Sequence, residues 1–310
     1  MDFNNIGENI RAIRMQLGLS QKELASGICT QAQISNIEKG KIYPLSTTLY
    51  LISRRLGVDI NYFFDISETP RLDYVNEVID LVREFIRTRD YDKVDKIIRL
   101  EKKNPLFQTL RNIQFLTWHE GICEYYLKND KNKSLFLLNQ SLTLTLSAKY
   151  SLREIEILNS IGIIHCEEEE FVQANTYFNK AIEYYGIINP KSDFKIIARI
   201  FYNYAKSLTS LESYEESIKY CEKGIKTCFK NESLYLLGEL YYQKGFNFNK
   251  MGINSESIIF MKKSLQIMEL LNNDAFIEHI NSKINQISSL VDCDISFIEA
   301  SKAAPQPRKL

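Results

Sequence analysis

Three amides stand close together early in this sequence, at Gln31, Gln33 and Asn36. An amide side chain both donates and accepts, so Asn or Gln can close a pair of hydrogen bonds on the N6 and N7 edge of adenine. Ala32 and Ser35 beside them are small enough to let a helix backbone approach a groove. The charge around them is of one sign. Between Asn9 and Arg55 the basic residues are Arg11, Arg14, Lys22, Lys39, Lys41, Arg54 and Arg55, against the acids Glu23 and Glu38. That local surplus, on a chain of formal net charge +0, is suited to attracting phosphate. A second polar set is widely spaced: Asn159, Asn203 and Gln243. Amides of this kind can pair both the N–H and the C=O of an extended peptide.

The first set needs a helix to present it. "IGENIRAIRMQLG" carries Ile6, Ile10, Ile13 and Leu17 at steps of three and four and then Gly18, which reads as an amphipathic helix with a glycine end. "SQKELASGI" opens with Ser20 and has Glu23 three residues on, a capping box. "TQAQISNIEKG" repeats the device with Thr30 and Gln33. Ser46 leads into a fourth helix with Leu49, Ile52 and Leu56, and a short fifth follows Asp59 with Tyr62 and Phe63. Four or five short helices with a tight turn between the second and third make a helix-turn-helix layout. On the third helix Ile34 and Ile37 project together toward a core. Ala32, Ser35 and Asn36 project away, flanked by Gln31 and Gln33. A helix facing only solvent in a generic bundle would carry Glu and Lys there. Glu38 points to the core side, where an acid needs a partner, and Arg14 on the first helix is the candidate.

The second set sits in a repeat. From Pro70 to about residue 291 helical periodicity is nearly unbroken. Ser134, Ala174, Ser217 and Ser257 align, as do Leu138, Phe178, Cys221 and Met261, and Ser141, Ala181, Gly224 and Ser264. Val94, Ile98 and a degenerate Glu101 extend the series backward. Gly121, Gly162, Ala205 and Gly245 mark one small-residue position in the preceding helices. Small residues at two fixed points with a large apolar one between follow tetratricopeptide logic, in which paired helices approach closely and stack on the next pair. The fold expected is all-α: a helix-turn-helix domain over residues 1–66, a linker helix over 67–90 merging into the first repeat, five repeats within 72–291 forming a right-handed superhelix with a capping helix, and a tail over 292–310. The three amides recur near the small position of the first helix in successive repeats. Tyr202, Tyr242, Phe246 and Ile163 are candidates to line side-chain pockets, though aromatics at such spacing also serve as inter-repeat core.

Other chemistries have little support. His119, His165 and His279 each stand alone in a helical stretch, no Cys or His pair has zinc spacing, and there is no glycine-rich phosphate loop. "HCEEEE" at 165–170 reads as a solvated turn. Neither a cofactor nor a metal is expected, and nor is catalysis. Six scattered cysteines without a CxxC pair suit free thiols in a reducing cytosol. No apolar run approaches the ~20 residues of a membrane span. A cytoplasmic location is expected.

"LGLSQKELA" followed by "ISNIEKGKIYP" resembles the Cro/C1-type helix-turn-helix family. That likeness implies base reading by Gln31, Ala32, Gln33 and Asn36. It implies phosphate contacts from Gln21, Ser35, Lys39, Lys41 and Tyr43, and a structural pair between Arg14 and Glu38. Together with "YNYAKSL", "YEES" and "LYYQKG", the whole chain resembles the RNPP family of peptide-responsive regulators. Membership implies a homodimer, a short signalling peptide clamped by Asn159, Asn203 and Gln243, and a near-palindromic site on double-stranded DNA. It also implies quorum-sensing control of transcription, as an activator in the branch this chain resembles most. On sequence alone a phage- or plasmid-type repressor whose repeats bind a protein partner stays open.

Overall fold

The structure is a computed structural model that describes the backbone of residues 4–68, 71–146, 150–188 and 193–302, and the side chains of 6–64, 71–146, 150–188 and 193–289. Among the described residues no strand occurs. Residues 303–310 of the tail expected over 292–310 lie outside them. The chain forms two compact units, residues 1–137 and 138–310.

The first unit opens with α1 (Asn4–Gln16), α2 (Gln21–Ala25), α3 (Gln31–Glu38), α4 (Ser46–Leu56) and α5 (Ile60–Glu68). Local chemistry sets their ends. Ser20 and Thr30 cap α2 and α3, each inside a complete capping box with Glu23 and Gln33. Ser46 opens α4 as its first helical residue, and Leu45 occupies the cap position without a side-chain bond. Ile6, Ile10, Leu24, Ala25, Ile34, Ile37, Leu49, Ile52, Leu56 and Phe63 form one buried core. Burying each large apolar side chain contributes about 1.5–3 kcal/mol, which compensates for helices too short to hold alone.

The same unit continues with α6 (Leu72–Arg87), α7 (Tyr91–Glu101), α8 (Leu110–Lys128) and the start of α9 (Lys131–Leu144). Compactness therefore runs on past the boundary expected at residue 66. Within the span 67–90 assigned by sequence to a linker helix, α6 runs from Leu72 to Arg87. The degenerate repeat position has a physical explanation. Glu101 is buried, and its carboxylate accepts hydrogen bonds from the Tyr74 hydroxyl and the Asn104 amide, both at 2.7 Å.

The second unit holds the end of α9 and then α10 (Leu152–Glu167), α11 (Phe171–Ile187), α12 (Phe194–Ser210), α13 (Tyr214–Lys230), α14 (Leu237–Lys250), α15 (Asn254–Leu270) and α16 (Asp274–Lys302). Helices α10 and α11, α12 and α13, and α14 and α15 pack as pairs, and α10, α12 and α14 also touch in succession. The aligned positions Ala174, Phe178, Ala181, Ser217, Cys221, Ser257, Met261 and Ser264 are all fully buried. Close approach is literal at Gly162, where an added Cβ would fall 2.6 Å from the Phe178 ring. Ser217 Oγ donates to the Ala205 carbonyl at 2.7 Å, and in the first unit Ser134 Oγ donates in the same way to Gly121 at 2.6 Å. α16 continues past residue 291, where the tail was expected; no Gly or Pro between 274 and 302 stops it.

Candidate DNA-reading helix and peptide wall

Ile34 and Ile37 fix the roll of α3 by entering the core. Gln31, Ala32 and Gln33 are then exposed at its N-terminal end, Ser35 and Asn36 are half-buried, and Lys39, Lys41 and Tyr43 are exposed beyond it. Gln33 carries a second task. Its Oε1 accepts from the Thr30 backbone N–H at 3.0 Å, which leaves its amide nitrogen as the group able to reach outward.

Beneath this surface Glu38 is buried and held from three directions. Arg14 grips it with Nε at 2.6 Å and Nη2 at 3.0 Å, and Gln21 Nε2 donates to it at 2.8 Å. Arg14 Nη1 also donates to the Leu19 carbonyl at 2.6 Å, tying in the turn before α2. Burial pushes the Glu38 carboxyl up, but the hydrogen bonds from Arg14 and Gln21 outweigh it and hold the group below the usual carboxylate range. Gln21, expected at a phosphate, spends one of its two amide N–H bonds on Glu38 here and keeps the other. Arg55 is likewise engaged: its Nη1 donates to the Ser26 carbonyl and, at 3.2 Å, to those of Glu23 and Leu24, so it closes the end of α2. Nothing in the local sequence signals that role, because the two ends lie 29 residues apart.

In the second unit the expected amides lie on α10, α12 and α14. The structure brings two of them together: Asn203 Nδ2 donates to Asn159 Oδ1 at 3.0 Å. This bond leaves out the Asn203 carbonyl and the Asn159 amino group. Gln243 is buried and faces its neighbours instead. Its Nε2 donates to Thr209 Oγ1 at 2.7 Å, and Thr209 Oγ1 donates to Asn247 Oδ1 at 2.6 Å. Asn247 Nδ2 in turn donates to Ser217 Oγ at 2.7 Å, and Ser217 donates to the Ala205 carbonyl. Thr209, Asn247 and Ser217 were not singled out as a polar group by sequence; their chain joins α12, α13 and α14. The half-buried stripe of α12 carries Arg199, Tyr202 and Asn203, and that of α14 carries Glu239, Tyr242 and Phe246. Ile163 is half-buried on α10. The Lys206 ammonium lies 5.8 Å over the Tyr202 ring. Tyr242 and Phe246 pack with Phe276 of α16, and the Tyr242 hydroxyl meets His279 Nε2 at 2.7 Å. His165, in the acidic run, pairs with Glu170 at 2.7 Å and stacks on Tyr177.

These two elements define a class, a helix-turn-helix joined to a helical-repeat domain. Residues 10–63 match the helix-turn-helix family, and residues 79–286 match the RNPP family C-terminal domain. The chain belongs to the RNPP family. Among solved structures it is similar to Bacillus thuringiensis PlcR in complex with the peptide PapR7 and DNA. Identity is 25% and the TM-score 0.81, covering 89% of this chain and 99% of that one. It is also similar to PlcR in its apo form, at 24% identity and a TM-score of 0.66, with 91% and 99% covered. ComR from S. thermophilus, in complex with DNA and its signalling peptide ComS, shares the fold at 15% identity and a TM-score of 0.62, with 91% and 99% covered. No curated protein matches this sequence. Among the described residues no helix is long and apolar enough to cross a membrane.

Proposed function

We propose that this chain is a PlcR-like, quorum-sensing-type transcription regulator, an activator working as a homodimer in the cytoplasm. It binds a short signalling peptide on the wall made by α10, α12 and α14, and a near-palindromic DNA site through α3. The observation that carries this reading is the pairing of an amide-bearing, outward-rolled α3 with a wall of amides, in a chain similar to a regulator solved with peptide and DNA together. Gln31, Ala32 and Asn36 read bases, with the amide nitrogen of Gln33. Gln21, Ser35, Lys39, Lys41 and Tyr43 meet phosphates, and Gln21 also braces Glu38. A peptide promotes DNA binding only if it prefers one arrangement of the dimer. Its regulator family and neighbours give no ground for an enzymatic reading.

The DNA half is tested on a selected operator. Gln31→Ala and Asn36→Ala are expected to relax sequence preference, each costing about 1–3 kcal/mol per lost base contact. Lys41→Ala is expected to weaken all sequences alike and flatten the salt slope by about one. Unchanged site preference in both amide variants rules out α3 as the reader.

The peptide half is tested by DNA affinity with and without pooled short synthetic peptides, alongside direct peptide titration. Asn203→Ala is expected to abolish the peptide response while basal DNA affinity persists. It also strips Asn159 Oδ1 of its donor, so a stability loss of about 1–3 kcal/mol accompanies it. Asn159→Ala and Gln243→Ala are expected to weaken the response by smaller amounts. Parent-like peptide binding by Asn203→Ala would place the ligand elsewhere.

A further inference from the structure

One turn toward the N-termini of the amides, the same three helices carry a charged row: Glu156 on α10, Arg199 on α12 and Glu239 on α14. Two of its members have partners. Arg199 Nη1 lies 3.8 Å from Glu156 Oε1, and Arg199 Nε donates to the Tyr235 hydroxyl at 3.0 Å. Glu239 has no such mate. Its Oε2 is cut off from solvent and has no hydrogen-bond partner, and among the described residues no cation pairs with it. Lys195, Arg199 and Lys206 share the accessible stripe of α12, yet none of them reaches it. Burial pushes the Glu239 carboxyl up, against the effect of its own backbone N–H. A place in the first turn of α14 favours an acid electrostatically, but here desolvation outweighs that benefit. The residue as a whole is only partly buried and shares its stripe with Tyr242 and Phe246, so the carboxylate lies close beneath the wall surface.

We infer that Glu239 selects the ligand: the wall takes a peptide that sets a cationic group, a basic side chain or its own α-ammonium, against this carboxylate. This rests on the peptide-sensing reading above and adds the charge of the ligand to it. A desolvated carboxylate left unpaired is costly, and an ammonium or guanidinium that meets it makes a charge-assisted bond in a shielded setting.

The test titrates the full chain with pools of short synthetic peptides in which one position is fixed as Lys, norleucine or Glu. Each pool is made with a free and with an acetylated N-terminus. The parent is expected to prefer, by about ten-fold, either a Lys-fixed pool or the free-amine pools over their neutral counterparts; which of the two wins identifies the source of the cation. E239Q is expected to lose that preference while binding neutral pools as the parent does, and E239K to turn it toward Glu-fixed pools. E239Q is also expected to melt at or above the parent temperature at neutral pH. A carboxyl whose folded pKa is raised costs stability as pH rises above its unfolded value of about 4.3, and the amide removes that cost. A clear fall in melting temperature would make Glu239 a brace for the start of α14 and overturn the inference. So would an equal preference in parent and E239Q, or neutral pools bound as well as basic ones, and in both cases peptide sensing stands. If no pool binds the parent, peptide sensing falls, and this inference with it.

Discussion

Gly7→Ala is expected to dismantle the N-terminal helical cluster while leaving the second unit folded. A Cβ at residue 7 would lie 1.9 Å from the Ile37 carbonyl oxygen, 2.9 Å from its carbon and 3.2 Å from the Glu38 Cα. All three are backbone atoms of α3, so no rotamer change relieves the contact. α1 must move off α3, which opens the core where Ile6 and Ile10 share the interior with Ile34 and Ile37. Overpacking a core typically costs about 1–3 kcal/mol and occasionally more; against rigid backbone the upper end or beyond is expected. Hydrogen exchange checks it. Protection across α1 to α4 should collapse and DNA affinity vanish, with α10 to α15 still protected. Parent-like protection in α1 and α3 would show that the two helices do not meet at residue 7.

Arg14→Met is expected to destabilise the same cluster by about 3–5 kcal/mol, because it leaves Glu38 buried without its main counter-charge. Glu38→Leu strands the guanidinium and the Gln21 amide instead, with a similar loss. The double variant Arg14→Met with Glu38→Leu should cost less than either single change, since an apolar pair of similar volume removes both desolvation penalties. The pair also sets a pH dependence. Glu38 has a depressed folded pKa, so its contribution is fully present above the unfolded carboxyl value of about 4.3 and is lost as pH falls through the lower folded value. The parent should therefore lose cluster stability below about pH 4, and the double variant should lack that component. Unfolding curves at two pH values for the four proteins decide it; additive, small effects would sink the coupling.

What could be read from residues alone follows the range of each interaction. The capping boxes at Ser20 and Thr30 span three residues, and the small-large-small register of the repeats is written in spacing, so both were accessible before any coordinates. Asp59 opening α5 is equally local: its Oδ1 accepts the Asn61 N–H at 2.8 Å. Gly7 gave no such sign, because a glycine inside a helical pattern reads as a weak helix former until the partner backbone is known. Arg55 and Gln21 look like surface groups near DNA, and only the fold shows which carbonyls and carboxylate they serve. Gln243 fits the spacing of a wall amide, but its hydrogen-bond partner Thr209 sits on another helix, and periodicity does not encode which of two polar neighbours an amide prefers.

The Gln243–Thr209–Asn247–Ser217 chain also limits how this protein can change over generations. Each hydroxyl in it has one proton to give and each amide a fixed polarity, so all the bonds point the same way, ending on the Ala205 carbonyl. Replacing one member reverses or orphans the next, and those positions cannot drift one at a time. Asn159 and Asn203 are joined by one bond outside that chain. A lineage acquiring a new signal, or an engineer retuning the old one, must rewrite Gln243, Thr209, Asn247 and Ser217 as a phrase and not letter by letter.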